Sequence, residues 1–409
     1  MARVAVGTVL LAALQSAAAG AQTSAPVWGS SVEILTRDQS LQTRPSADSA
    51  RRGAAARGVR LPLYASRKGP GCDQRWLMVG PVAWVCEDAV RVTPQPAIAP
   101  RGAPHLLSDG LPYRYYFVGP YGALGYAKLA EAEEGAPDAQ LDPGFAVAVV
   151  RVADKVAGDP FGLTTRGVWL PLRDLAPARE PLFSGEELPE GQLDIGWVYA
   201  DSAPVYEQPG GKRIRGEALT HFESVRVLES RERQGRRWYR IGEARWLSDR
   251  DTRVPTPTSP PAQVQPQERW IDVELGNQVV TAYVGDRPVF ATLASTGRGR
   301  EGSEQATPRG EFRIWVKLRS SDMDNLENEE ANRYYAIQDV PWVMYFEKGY
   351  GLHGTFWHRS FGHTQSHGCV NLAPLDAQRL FYWTSPRLPA GWTAALPTPY
   401  ERGTLVRVR

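Results

Sequence analysis

Between residues 269 and 318, apolar and polar positions alternate with the two-residue period of half-buried strands. Trp270-Ile-Asp-Val-Glu-Leu275 alternates, Gly276-Asn277 turns the chain, and Gln278 to Val284 alternates back. Gly285-Asp286 turns it again into Arg287 to Leu293, so the pattern predicts an antiparallel meander. Ser295-Thr296-Gly297 ends the meander. Thr307 to Phe312 then opens a strand over Arg313 to Leu318, and Thr404 to Val408 reads as a closing strand. One helix is predicted here: Pro374 suits a first turn, and Ala377, Leu380, Phe381 and Trp383 follow at helical spacing.

Upstream, the runs are shorter and one order of them occurs twice. Leu61-Pro-Leu-Tyr64, Arg75-Trp76-Leu-Met-Val79 and Ala83-Trp84-Val85 are echoed by Ala203-Pro-Val-Tyr206, Arg237-Trp238-Tyr-Arg-Ile241 and Arg245-Trp246-Leu247. The echo predicts two copies of a small module, at 59–103 and 192–252. The pattern resembles bacterial SH3-like domains, in which short strands close into a partly open barrel. Between them, Tyr113 to Val118, Gly144 to Val150 and Gly167 to Leu172 read as a β-rich module of unclear type over 104–191. Residues 22–58, rich in Ala, Ser, Arg and Gln, read as a flexible lead. Residues 253–268 read as a Pro-rich, semi-rigid linker. The fold class expected is mostly β.

Composition narrows the setting. Arg3, the apolar run Val4 to Leu14 and the small residues Ala19-Gly20-Ala21 predict a secretory signal peptide over 1–21, hence export. The run is too short to span a bilayer, no other run approaches that length, and no cysteine follows the cleavage site, which argues against a lipid anchor there. The net charge is +2 and the arginines are scattered, which speaks against a nucleic-acid partner or a polybasic membrane segment. Of the three cysteines, Cys72 and Cys86 flank a turn at Gly80-Pro81 and are expected to bridge in an oxidising compartment. Two independent buried thiols are the alternative.

The bridge would leave Cys369 free, in the most chemically loaded stretch of the chain. His353-Gly354-Thr355 is followed by Ser366-His367-Gly368-Cys369-Val370-Asn371. A nucleophilic thiol needs a base to take its proton and N–H donors for the oxyanion, and a Gly-Cys turn near histidines offers both. His353, His358, His363, His367 and Cys369 also raise a zinc reading, although their spacings match no tight ligand pair. A buried structural thiol in a binding-only domain is the third reading.

Residues 269–409 resemble the YkuD-type L,D-transpeptidase catalytic domain. The resemblance rests on the two motifs just quoted, on Gly362, and on Ser295-Thr296-Gly297, Thr307-Pro-Arg-Gly-Glu-Phe312 and the helix after the cysteine. It implies a β-sandwich-like domain in which Cys369 is the nucleophile and His353 the base. Gly354 would orient the imidazole through its carbonyl, and the turn at His367 and Gly368 would supply oxyanion donors. An ionised histidine beside the thiol would lower its pKa. Ser366 and Asn371 match positions that hold the loop and, with Tyr335 and Trp342, are the expected substrate-contacting residues. His358 and His363 are expected at the groove or its solvated rim. The acidic stretch Ser320 to Tyr335 reads either as a solvated loop or as a lid whose carboxylates attract a diamino-acid ammonium.

The implied partner is the peptidoglycan stem peptide. The implied reaction is 3→3 cross-linking through a thioester, with release of D-Ala and no need for ATP or another cofactor. Hydrolysis by an L,D-carboxypeptidase, attachment or release of a wall protein, and non-catalytic wall binding are the alternatives. The SH3-like modules would bind wall glycan or peptide, and the protein would work in the periplasm or the cell wall.

Overall fold

A computed structural model describes residues 29–97, 110–156, 158–179, 183–327 and 334–409. The expected signal peptide lies outside the described residues. The chain is mostly β, with strands throughout and two short α-helices among the described residues, Leu129–Glu134 and Pro374–Trp383. Among the described residues, no helix is long and apolar enough to cross a membrane.

The C-terminal region, from residue 269 on, is a sandwich of two sheets. The meander forms as predicted, with Arg269–Glu274, Val279–Val284 and Arg287–Leu293 in antiparallel register. The closing strand Leu405–Val408 lies parallel to Arg269–Glu274 and also pairs with Gly310–Arg313. The second sheet carries Val316–Asp324, Ala336–Glu347, Tyr350–Gly354 and Val370–Leu372. The single strand predicted over 313–318 is two: the chain leaves one sheet at Arg313 and joins the other at Val316. Ile271, Val280, Met344, Leu352 and Val370 fill the space between the sheets, with Ala377, Leu380 and Phe381 of Pro374–Trp383 packed against them.

The N-terminal half repeats one topology three times. In the first module Ser31–Ile34 pairs with Arg60–Pro62 and with the last strand, Val90–Thr93. Gln39–Gln42 pairs with Arg51–Ala55 and with Ala83–Cys86, which continues through Trp76–Gly80 to Ala65–Arg67. The third module repeats this with Ile195–Val198 against Ser224–Arg226 and Thr252–Arg253, and Ser202–Tyr206 between Arg213–Thr220 and Arg245–Ser248. The segment of unclear type follows the same scheme. Arg114–Val118 pairs with Ala146–Val156 and Leu175–Pro177, while Tyr126 bridges to Trp169. Cys72 and Cys86 are joined by a disulfide.

The expected flexible lead is therefore corrected: residues 31–55 contribute three strands and bury Val32, Ile34, Leu41, Ala54 and Ala55. The first module begins near Ser31, not at 59. Its strand Arg51–Ala55 buries the small residues Gly53, Ala54 and Ala55, and another part of the chain supplies the bulk beside them. Trp392, from the strand Trp392–Ala395 of the C-terminal region, enters this core beside Leu61 and Leu77. A Cβ on Gly53 would meet the Trp392 ring at 2.8 Å and the Ala394 carbonyl oxygen at 2.3 Å. The two units share a sheet, with Gly53 opposite Ala395 and Ala54 opposite Ala394.

The linker is also corrected. Residues 254–268 lie along the C-terminal sandwich as a strap: the Thr256 N–H donates to Glu274, Arg407 donates to the Ser259 carbonyl and Thr258 hydroxyl, and Arg409 donates to the Thr256 carbonyl. A second strap, at 183–187, is pinned by buried Asp376, which accepts from the Gly185 N–H and the hydroxyls of Ser184 and Thr292.

Candidate active site

Two neighbouring parallel strands position the motif. Tyr350–Gly354 and Val370–Leu372 pair with Leu352 opposite Val370, His353 opposite Asn371 and Gly354 opposite Leu372. Leu352, Val370 and Leu372 point into the core. Strand alternation therefore puts His353 and Asn371 on the other face, and Cys369, two residues before Asn371, falls on that face as well.

His353 is buried at 2% exposure. Its Nδ1 lies 3.2 Å from the Gly354 carbonyl oxygen, so an Nδ1–H donates to it and Nε2 is left with a free lone pair. Burial pushes the imidazole pKa down to about 4. The Trp357 ring stacks on it, centroids 5.7 Å apart.

Cys369 is the free cysteine, and its Sγ lies 3.6 Å from the Gly349 carbonyl oxygen. Burial pushes the thiol pKa up, partly opposed by a hydrogen bond from the Gly351 backbone. Both shifts favour a neutral thiol beside a neutral imidazole. These directions run against the expectation of a thiol acidified by an ionised histidine, because an imidazole buried as His353 is resists protonation.

The turn before the sulfur is held on every side. Ser366 Oγ donates to the Cys369 carbonyl oxygen and accepts from the Gly368 N–H at 3.1 Å. Thr307 Oγ1 donates to the Gly368 carbonyl at 2.8 Å and accepts from the Gly297 N–H. Ser295 and Asn371 exchange backbone bonds of 2.9 Å. Gly368 has φ of +122°, and a Cβ there would meet the Tyr350 ring at 2.4 Å, so only glycine fits.

The expected substrate-contacting residues divide. Tyr335 is half-buried and stacks on His367 at 5.7 Å, at the mouth of the site. Trp342 is a correction: it is 1% exposed, packs in the sandwich core, and its Nε1–H donates to the Gly110 carbonyl. Ser366 and Asn371 are buried at 6% and 3% and serve the loop. The Asn371 carboxamide meets His358 Nε2 at 2.8 Å, so His358 is tied inside and not at the rim.

His363 is exposed and meets Tyr199 of the third module at 4.7 Å. His367 Nε2 accepts from Arg298 at 2.8 Å. These histidines and Cys369 do not converge on one point. Among the described residues the one convergent group is Cys72, Cys86 and Asp88, whose sulfurs are already joined. The acidic stretch is strand as far as Asp324, and Asp322 is paired with Arg166 of the second module. Glu329 and Glu330 lie outside the described residues.

Residues 268–408 match the YkuD family model, the L,D-transpeptidase catalytic domain. No curated protein matches the chain. Solved structures do, with low overlap. An Enterococcus faecium L,D-transpeptidase mutant is 22% identical over 36% of this chain and 50% of its own, at a TM-score of 0.27. This chain thus spans about half the length of that neighbour. The NMR structure of the catalytic domain from E. faecium L,D-transpeptidase is 23% identical over 35% of this chain and 98% of its own, at 0.27. An L,D-transpeptidase from Mycobacterium smegmatis is 14% identical over 64% and 99%, at 0.26.

Thr307, Trp357 and His358 are site residues whose parts the sequence did not disclose. Thr307 stood in a quoted motif, yet its partner, the Gly368 carbonyl, is 61 residues away.

Proposed function

We propose that this chain is a peptidoglycan L,D-transpeptidase that makes 3→3 cross-links through a thioester on Cys369. The observation that carries the reading is the pairing of His353 and Asn371 on adjacent strands, with the Nδ1 of His353 held by Gly354 and Cys369 on the same face.

In this reading the tetrapeptide stem lies across Cys369 with the bond between its third residue and D-Ala over the sulfur. His353 Nε2 takes the thiol proton as sulfur attacks, acting as the general base. The Gly368 N–H is occupied by Ser366, so the Cys369 N–H, which makes no hydrogen bond among the described residues, serves the oxyanion. The tetrahedral intermediate collapses to the thioester, and D-Ala leaves as its amine receives the proton from His353. The side-chain amine of a second stem then attacks the thioester, and the thiolate leaves and is reprotonated.

The three modules are read as SH3-like barrels that hold the enzyme on wall glycan or peptide, and the N-terminal segment as an export signal to the periplasm or wall.

Incubation with a carbapenem and with tetrapeptide muropeptides tests the reading by intact mass and product analysis. An adduct on Cys369 and a cross-linked dimer with free D-Ala support transpeptidation. Trimmed monomer alone would mean hydrolysis, and neither adduct nor product would reject catalysis.

A further inference from the structure

A second cleft, of about 740 Å³, opens where the first module, the second module and the hairpin Val316–Asp324/Ala336–Glu347 meet. Neither Cys369 nor His353, Tyr335 or His367 lines it. The walls are rich in cations: Arg37, Arg51 and Arg57 come from the first module, Arg166 from the second and Arg319 from the hairpin. Arg37 pairs with Asp38, and Arg166 with Asp322. Arg51, Arg57 and Arg319 form no ion pair among the described residues. Asp339, the third carboxylate, is committed to the hydroxyls of Thr165 and Ser320. The cleft therefore presents surplus guanidinium, a fork that matches a carboxylate.

Further observations point to an occupant. The strand Val316–Asp324 is paired on its outer side only at Lys317 and Leu318, so residues 319–324 have an open edge beside the arginines. An open strand edge takes an extended peptide through its main chain. Tyr113, Val150 and Leu163 add an apolar surface for short side chains. Asp339, at the base, has φ of +49°, backbone strain of the kind that gathers at ligand sites.

We infer that this cleft binds a carboxylate-bearing extended peptide, a wall stem other than the one over Cys369. The inference rests on the proposed reaction for the identity of the peptide. It gives the three-way packing of modules and hairpin a role: the site exists only where the units meet.

The test uses the full chain with Cys369→Ala, titrated calorimetrically with a tetrapeptide stem and with the same stem amidated at its carboxyl groups. Two binding sites are expected for the acid stem. Arg51→Glu with Arg57→Glu, both exposed, should weaken one of them at least tenfold and leave the other, roughly the loss of one charge-assisted contact. The amidated stem should lose that same site. A single site untouched by the double substitution, or equal binding of the amidated stem, overturns the inference. So does displacement of the stem by inorganic phosphate at equal concentration, which would mark a general anion site. Carbapenem acylation is measured in parallel on the Cys369 chain carrying the two Arg substitutions. Acylation at the unsubstituted rate shows an intact fold. Its absence from the unsubstituted chain would reject the proposed reaction, while leaving the cleft titration readable.

Discussion

Trp357 stacks on His353 with ring planes 25° apart, and the residue before it, Phe356, stacks on Tyr115 of the second module with centroids 3.9 Å apart. The candidate base is therefore three ring contacts away from a module that sequence alone would treat as a separate unit. Farther along the same loop, Arg253 of the third module donates to the Gly362 carbonyl, and its guanidinium lies 3.7 Å from the Tyr199 ring centroid. The segment between His353 and Cys369 is thus gripped by two modules at once.

The acid limb of acylation should lie unusually low. His353 must be neutral to accept the thiol proton, and burial holds its pKa near 4, so protonation removes the base only below about pH 5. The carbapenem acylation rate should show no loss between pH 7 and 5.5 from this group. A limb near the ordinary histidine value of about 6.5 would argue against His353 as the base.

His353→Ala should abolish acylation and His367→Ala should only weaken it. The first imidazole is buried beside the thiol strand, whereas the second is exposed and held by Arg298 and Tyr335. Equal losses in the two variants would remove the distinction.

Ser366→Ala should lower the acylation rate constant far more than it raises KM. The hydroxyl is buried and bridges Gly368 and Cys369, so its loss leaves a buried N–H and a buried carbonyl unpaired, costing about 1–3 kcal/mol. A pure KM effect would restore the substrate-contacting role.

Trp392→Ala should destabilise the first module, although the residue belongs to the catalytic region. It is 1% exposed among Leu61, Leu77 and Val79, and removing such a ring costs about 3–5 kcal/mol. Urea unfolding followed by the fluorescence of Trp76 and Trp84 reads the loss. An unshifted midpoint would mean that the two units fold independently.

Lys317 should make stability rise with pH. It is buried with its ammonium on the carbonyls of Phe381 and Thr384, and burial lowers its pKa to about 7. Between about 7 and its ordinary value the unfolded chain binds more protons than the folded one, so stability increases as pH climbs through that window. The stability difference between the parent and Lys317→Met should change across pH 7 to 10. A flat difference would mean that the lysine keeps its ordinary pKa.

Much of the site was legible because its signals are local. The His353 and Cys369 motifs, the meander at 269–293 and the helix Pro374–Trp383 each announce themselves through glycine at forced turns or apolar spacing along one segment. What the sequence by itself determined was the chemistry on offer and the strands that carry it. Tertiary structure alone decided that Trp342 is core and that the His353 imidazole is buried, since burial depends on what packs above a residue. It also decided that the lead from Ser31 onward carries strands of the first module and that the linker is a strap. Strand pairing between units is made by backbone groups, which every residue carries, so Gly53 and Ala54 hold no written trace of Trp392 and Ala394.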